Sequence, residues 1–172
     1  THKSRSVNNF NNQDARVRRA GCGIFYASGH IRNFSCLLPG LVQSNQRAEL
    51  LAVVLALRRD PSSLEIRTDS QYVHDGARAW HTWCERGWRG ANGDLWLLFS
   101  QAMAARSPGS ASFTKVLGHA KEIDVQRGRV LACDKIGNDG ADECACHGAD
   151  QHAVPASVLQ DLEFRKAAAH GV

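Results

Sequence analysis

Hydrophobic residues in the first third of the chain follow two different periods. Short apolar runs at residues 20–27 and 31–38 flank a Ser-Gly-His turn at 28–30, a pattern that predicts a two-stranded hairpin. Beyond Ser44-Asn45, apolar residues recur at the 3.6-residue spacing of a helix. This helix is expected to end before Asp60-Pro61, since proline disfavours helical geometry in the residue before it.

The rest of the chain alternates in the same way between strand-like and helix-like segments. The pattern predicts a strand at 64–68, a helix from 70 to about 86, a loop at 87–93, a helix at 94–105 capped by Asp94, a strand at 112–117, a long polar loop to 138 and a helix at 139–152. Strands that alternate with helices in this order predict an α/β fold, in which a mixed sheet is flanked by helices.

The two ends of the chain differ from its centre. Residues 1–19 hold five basic residues and one acidic residue, Asp14, so the net charge of this segment equals the net charge of +4 of the whole chain. The segment is expected to form a basic polar loop. Residues 20–152 are expected to form one catalytic domain, and residues 153–172 a C-terminal extension of unknown role. A mildly basic chain permits a polyanionic partner such as nucleic acid but does not require one.

The six cysteines and the absence of long apolar runs restrict the class of protein. No two cysteines have CxxC spacing, which argues against a zinc ribbon or a thioredoxin-like site, and Cys144-Ala145-Cys146-His147 is interpreted as one packed helical turn. Scattered thiols are typical of a reducing compartment. The sequence shows no signal peptide and no apolar run near 18 residues, so an intracellular monomer without membrane contact is expected.

Three acidic residues lie at predicted strand ends or helix starts. Glu49 and Asp142 each lie one turn inside a predicted helix, and Asp69 directly follows a predicted strand. Each alone fits a helix cap or first-turn charge. Together they fit a site for hard divalent cations, which prefer oxygen ligands, and His119 is placed to move a proton.

Several motifs on these elements carry a resemblance to a known family. They are Asn-Gln-Arg-Ala-Glu-Leu at 45–50, Thr-Asp-Ser-Gln-Tyr-Val at 68–73, Ala-Trp-His-Thr-Trp at 79–83, Gly-His-Ala at 118–120 and Asn-Asp-Gly-Ala-Asp-Glu at 138–143. In this order they resemble type 1 ribonuclease H over residues 18–152. The long interval between His119 and Asp142 is more similar to eukaryotic or retroelement-type domains than to compact bacterial ones.

The resemblance implies an endonuclease that hydrolyses the RNA strand of RNA–DNA hybrids with two Mg²⁺ ions, or Mn²⁺, at the site. The implied metal ligands are Glu49, Asp69 and Asp142, with His119 as a further catalytic residue. The implied substrate contacts are Asn45, Gln46 and Gln71 in the minor groove, where 2′-hydroxyls distinguish RNA from DNA, and Trp80 and Trp83 near the DNA strand. Packing in the core is the alternative interpretation of both tryptophans.

The sequence departs from the family at its first catalytic residue. That residue is an aspartate in a Thr-Asp-Gly-Ser-like motif on the first, central strand, and no such motif precedes Glu49. Asp14 is the only earlier acidic residue, in Asn-rich surroundings that do not resemble a strand. The central strand is therefore expected to be missing, and residues 1–172 are expected to bind Mg²⁺ poorly and to show little nuclease activity.

Two alternatives follow from this departure. The chain could be a catalytically inactive hybrid-binding module, or the ribonuclease H portion of a reverse transcriptase polyprotein. In the coding sequence upstream of Thr1, a Thr-Asp-Gly motif would support the enzyme, and a polymerase domain would support the polyprotein.

Overall fold

The computed structural model describes residues 18–170, so Asp14 and most of the predicted basic loop lie outside the described residues. The elements are β1 (Gly21–Ile24), β2 (Phe34–Leu37), α1 (Asn45–Arg59), β3 (Leu64–Thr68), α2 (Gln71–Arg78), α3 (Trp80–Glu85), α4 (Gly93–Ala104), β4 (Ala111–Lys115), α5 (Glu122–Gln126), α6 (Ala132–Asp150) and α7 (Ala156–His170). None of these helices is long and apolar enough to cross a membrane.

The predicted hairpin is present, but its strands are shorter than the apolar runs. β1 and β2 are antiparallel, with Cys22 opposite Cys36. The connection between them is closed by the side chain of Asn33, which accepts a hydrogen bond from the Tyr26 N–H (2.8 Å) and donates one to the Ala27 carbonyl (2.7 Å). This side chain replaces the strand ladder, so the ends of both runs leave the sheet.

The remaining two strands form a separate parallel pair. β3 spans the predicted residues 64–68, and it pairs with β4 from Leu64 opposite Ala111 to Thr68 opposite Lys115. Within residues 18–170, no strand joins β1 to β3, so the sheet consists of two halves. The expectation of an α/β fold, with parallel and antiparallel strand pairs flanked by helices, is confirmed.

Helix α1 lies in the hydrophobic core and packs against β1 and α4. Ser44 caps it by accepting a hydrogen bond from the Arg47 N–H (3.3 Å), as the sequence predicts, and Asp60 follows its last residue. Its fully buried Leu50 belongs to the same hydrophobic cluster as Phe99 of α4. The position of Glu49 next to Leu50 therefore follows from a helix that is fixed by burial.

Three predicted helix boundaries were wrong. The helix expected from 70 to 86 is divided at Ala79, where φ is −100° and ψ is 13°. Helix α4 begins at Gly93 with Asn92 in the capping position, and Asp94 instead pairs with Arg47 at 2.5 Å. The long predicted loop contains α5, and α6 begins at Ala132 rather than 139.

The early start of α6 has a tertiary cause. Gly137 and Gly140 disfavour a helix in sequence terms, but Gly140 packs against the ring of Phe25, where a Cβ would lie within 3.0 Å of ring carbons. The first turn is held by the ion pair of Asp134 with Arg67 on β3, and Lys135 pairs with Asp139 at 2.6 Å. These contacts offset the low helix propensity of the glycines.

Asp60 is a buried carboxylate that ties the hairpin to the end of α1. It is 1% exposed, and it accepts hydrogen bonds from Arg32 (2.5 Å), Tyr26 (3.1 Å) and Ser62 (2.5 Å). The hydrogen bonds from Ser62, with those from Arg32 and Tyr26, hold the pKa of Asp60 well below its usual range. The charged form is therefore the form that stabilises the fold.

We expect Asp60→Asn to lower Tm by about 5 °C at neutral pH, since an amide cannot accept all of these bonds. A lowered native pKa gives stability that is present above the unfolded pKa of about 3.9 and is lost as the pH falls through the native pKa. The difference in Tm between the two proteins should thus be full above about pH 5 and shrink below about pH 4. Melting curves from pH 3 to 7 test this, and a difference independent of pH would contradict it.

Candidate active site

The three predicted carboxylates come from three elements around the carboxyl end of β3. Asp69 follows β3, Glu49 lies in the second turn of α1, and Asp142 lies in the middle of α6. Burial raises the pKa of Glu49, the hydroxyl of Ser70 opposes this by a hydrogen bond, and the charges of Asp69 and Asp142 raise it further. Asp69 and Asp142 are therefore both within electrostatic reach of Glu49.

The position of Asp69 depends on small or polar neighbours. A Cβ at residue 118 would lie within 3.0 Å of the Asp69 carboxylate, so Gly118 lets the loop pass this close without displacing that carboxylate. On the other side, the Ser70 N–H donates to the Thr68 hydroxyl (3.1 Å), and Ser70 caps α2 by accepting from the Val73 N–H (3.3 Å). The end of β3 and the start of α2 thus fix the backbone around Asp69.

His119 approaches Asp142 from the loop after β4. Its Nδ1 lies 3.5 Å from Asp142 Oδ2, and its side chain is 61% exposed. Its φ of 52° lies in the left-handed region, which is rare for a residue with a side chain and is common at functional sites. An exposed imidazole beside a carboxylate is suited to exchanging a proton between solvent and the site.

Oxygen-rich donors of this kind suit Mg²⁺ or Mn²⁺. The chemistry of the donor set fits such ions, and a cation would offset the burial and the repulsion from Asp69 and Asp142 that raise the pKa of Glu49. In the described part of the chain, however, no three His, Cys, Asp or Glu side chains are grouped so that they could hold an ion by themselves. The carboxylates present therefore fit a metal site in kind but supply only part of one.

The three residues predicted to contact the substrate through side-chain amides lie close in sequence to Glu49 or Asp69, and their side chains are exposed. Asn45 and Gln46 are the first two residues of α1, and Gln71 is the first residue of α2. Gln71 donates a hydrogen bond to Asp75 at 2.7 Å. All three side chains are accessible to a ligand that covers the ends of α1 and α2.

The tryptophans divide into packed and exposed rings. Trp80 is half-buried and packs edge-on against Phe99, with ring centroids 6.5 Å apart. Trp83 is 41% exposed and stacks at 6.3 Å on Trp88, and Arg86 lies 5.7 Å from its ring centroid. Core packing thus describes Trp80, whereas Trp83 keeps an accessible face beside a cation.

Sequence reasoning missed two polar residues of the site. Ser70, the hydrogen-bond partner of Glu49, lies inside the Thr-Asp-Ser run but was considered only as part of a helix cap. The Asn138 amide lies 3.5 Å from Asp142 Oδ2, one helical turn earlier on α6. The i, i+4 spacing could have indicated Asn138, but residues up to 138 were predicted to form a loop.

Comparison with known proteins supports the same family. The family model described as RNase H matches residues 9–150. A ribonuclease H of Schizosaccharomyces pombe is 33% identical over 117 residues, which cover 66% of this chain and 44% of that protein. A ribonuclease H of Rhodospirillum rubrum is 37% identical over 98 residues, which cover 52% of this chain and 57% of that protein. The chain thus spans about half the length of these curated relatives, and with four-fifths of its own residues matched by the family model, it belongs to the RNase H family.

Proposed function

We propose that this site hydrolyses the RNA strand of RNA–DNA hybrids. The observation that carries the proposal is the approach of Asp69 and Asp142 to Glu49 from separate elements, where burial and the charges of these two residues raise the pKa of Glu49. Carboxylates held in this way serve to bind cations. The match to the RNase H family model, over residues 9–150, includes all three carboxylates.

The proposed roles follow from position. Glu49, Asp69 and Asp142 act as ligands of two Mg²⁺ or Mn²⁺ ions, which when bound supply an activated water and stabilise the leaving oxygen. His119 takes up or releases a proton next to Asp142, with which it is in contact. Asn138 and Ser70 orient the carboxylates of Asp142 and Glu49 by hydrogen bonds.

The substrate is proposed to lie across the starts of α1 and α2. Asn45, Gln46 and Gln71 would contact the minor groove, and Trp80 and Trp83 would lie on the side of the DNA strand, with Trp83 offering the more accessible ring. Residues 20–152 are proposed as the catalytic unit and residues 153–172 as an extension, which includes α7.

Selectivity for hybrid over duplex DNA is the first test. Residues 1–172 should bind an RNA–DNA hybrid more tightly than duplex DNA of the same sequence, since only the hybrid offers 2′-hydroxyls to the amides. Asn45→Ala or Gln71→Ala should each lower this preference about three- to tenfold, the value of one hydrogen bond. Fluorescence anisotropy at one fixed salt concentration measures both affinities.

The matched control is Gln101→Ala, which removes an exposed amide from α4. It should leave the preference unchanged. Equal binding of hybrid and duplex DNA by the unaltered chain would reject the proposed substrate.

An inactive hybrid-binding module remains the second candidate. It is favoured by the finding that no metal-binding group of three is present within residues 18–170. A chain extended at its N-terminus by a strand with the family's Thr-Asp-Gly-Ser pattern separates the two. Cleavage of the RNA strand by the extended chain supports the enzyme, and tight binding without cleavage supports the module.

A further inference from the structure

Two of the six cysteines face each other across the hairpin. Cys22 of β1 lies directly opposite Cys36 of β2 in the register of the two strands. Residues that are directly opposite in an antiparallel pair have their side chains on the same face of the sheet. This face is turned to α1, because Gly21 and Gly23 approach the backbone of α6 and the residue between them points the other way.

The backbone holds these two residues at the separation of a disulfide. The Leu38 N–H donates to the Ala20 carbonyl at 2.9 Å, so Ala20 and Leu38 form a hydrogen-bonded pair of the antiparallel ladder. Such pairs recur at every second position, which makes Cys22 and Cys36 the next one. The Cα atoms of a hydrogen-bonded pair lie about 5.5 Å apart, inside the range of about 4.4–6.8 Å that a disulfide spans.

The two thiols differ in burial and in surroundings. Cys22 is 1% exposed, whereas Cys36 is half-buried. The two side chains are in hydrogen-bond contact with each other, and burial raises the pKa of both thiols. The guanidinium of Arg59, which lies 4.0 Å from the ring centroid of Phe34, opposes this by lowering the pKa of Cys36. A reagent from solvent therefore reaches Cys36 first, and Cys22 lies behind it in the core.

The other four cysteines lie outside any strand pair. Cys84 and Cys133 are exposed and belong to different helices, α3 and α6. Cys144 and Cys146 are two residues apart in α6, so their side chains point about 200° apart around the helix axis. Within residues 18–170, the hairpin thus holds the one pair of thiols that is placed face to face by strand register.

We propose that Cys22 and Cys36 form a thiol–disulfide site that takes a small-molecule disulfide as its oxidant. The Cys36 thiolate attacks one sulfur of this reagent, which forms a mixed disulfide on Cys36 and releases one thiolate. Cys22 then loses its proton and attacks the Cys36 sulfur, which forms the Cys22–Cys36 bond and releases the second thiolate. Two protein thiols are oxidised, one reagent disulfide is reduced, and the two protons lost by the protein convert the released thiolates to thiols.

The bond acts on the hairpin as a reversible cross-link. It closes a loop that contains the hairpin turn, and such a loop restricts the unfolded chain more than the folded one. β1 packs on both α1 and α6, the helices that carry Glu49 and Asp142. Oxidation therefore stabilises the hairpin beside the candidate active site without altering any residue of that site.

Peptide mapping of residues 1–172 tests the proposal in the absence of nucleic acid. The protein is incubated at low concentration with oxidised glutathione, the remaining thiols are blocked with N-ethylmaleimide, and the chain is digested with trypsin without reductant. Trypsin cuts after Arg32, which places Cys22 and Cys36 in separate peptides, 20–32 and 33–47. Mass spectrometry should find these two peptides joined, and dithiothreitol should separate them.

Three variants test the order of attack. Cys22→Ala should stop the reaction at the mixed disulfide, so that peptide 33–47 carries one glutathione. Cys36→Ala should leave Cys22 unmodified, because the buried thiol is not reached from solvent. The matched control is Cys144→Ala, which removes another partly buried thiol from the surface of α6 and should still give the joined peptides.

Thermal unfolding tests whether the bond stabilises the hairpin. The oxidised protein should melt about 5 °C or more above the reduced protein, whereas Cys22→Ala treated in the same way should gain no stability. A mixed disulfide that persists on Cys36 of the unaltered chain, or a link from Cys36 to another cysteine, would overturn the proposed pair. An oxidised protein that melts no higher than the reduced protein would overturn the cross-link as a source of stability.

Discussion

Asp69→Asn is expected to lower cleavage of the RNA strand of a hybrid by about 10³-fold or more. Loss of an outer partner of a metal site typically costs 10- to 100-fold, and Asp69 is proposed as a direct ligand, so its loss should cost more. The amide nearly preserves the shape of the side chain beside Gly118 but removes its charge. Single-turnover cleavage should be measured in the chain extended by the Asp-bearing strand, since residues 1–172 alone are expected to show little activity.

The control for this variant is Asp150→Asn, which removes an exposed carboxylate near the end of α6. It should retain activity, and both variants should keep the Tm of the parent chain within a few degrees. Cleavage by Asp69→Asn within tenfold of the parent would remove Asp69 from the proposed metal site.

Gly23→Ala is expected to prevent stable folding, with a loss of more than about 3 kcal/mol of unfolding free energy. A Cβ at this position would lie within 3.0 Å of the Ala141 carbonyl oxygen and the Ala145 nitrogen, both in the backbone of α6. Backbone atoms inside a helix cannot turn aside as a flexible side chain can. The hairpin would have to move away from α6.

Gly137→Ala is the matched control, because it adds the same methyl group to α6 at a position where a Cβ meets nothing within 4 Å. Alanine is the better helix former, so this variant should be as stable as the parent or more stable by about 0.5–1 kcal/mol. Urea unfolding followed by circular dichroism measures both changes. A loss below about 1 kcal/mol for Gly23→Ala would show that the hairpin is not held against α6 as described.

The sequence predicted best those elements whose structure follows from their own residues and the residues beside them. Ser44 before a helical apolar pattern and Asp60-Pro61 after it predicted the two ends of α1, and the alternating pattern at 64–68 predicted β3. Glu49 and Asp69 could be identified as site candidates because they lie on these two elements. The start of α6 could not be predicted, since Gly137 and Gly140 disfavour a helix locally, and Gly140 is required by its contact with Phe25.

The sequence by itself determined the fold class, the family and the residues that carry the proposed chemistry, because motifs and hydrophobic periods are local in the chain. Only the tertiary structure decided how these residues relate. It brings the hydroxyl of Ser70 to Glu49 and the imidazole of His119 to Asp142, and within residues 18–170 it places β1–β2 and β3–β4 in separate pairs. These relations depend on which elements pack together, and packing is a property of the folded chain as a whole.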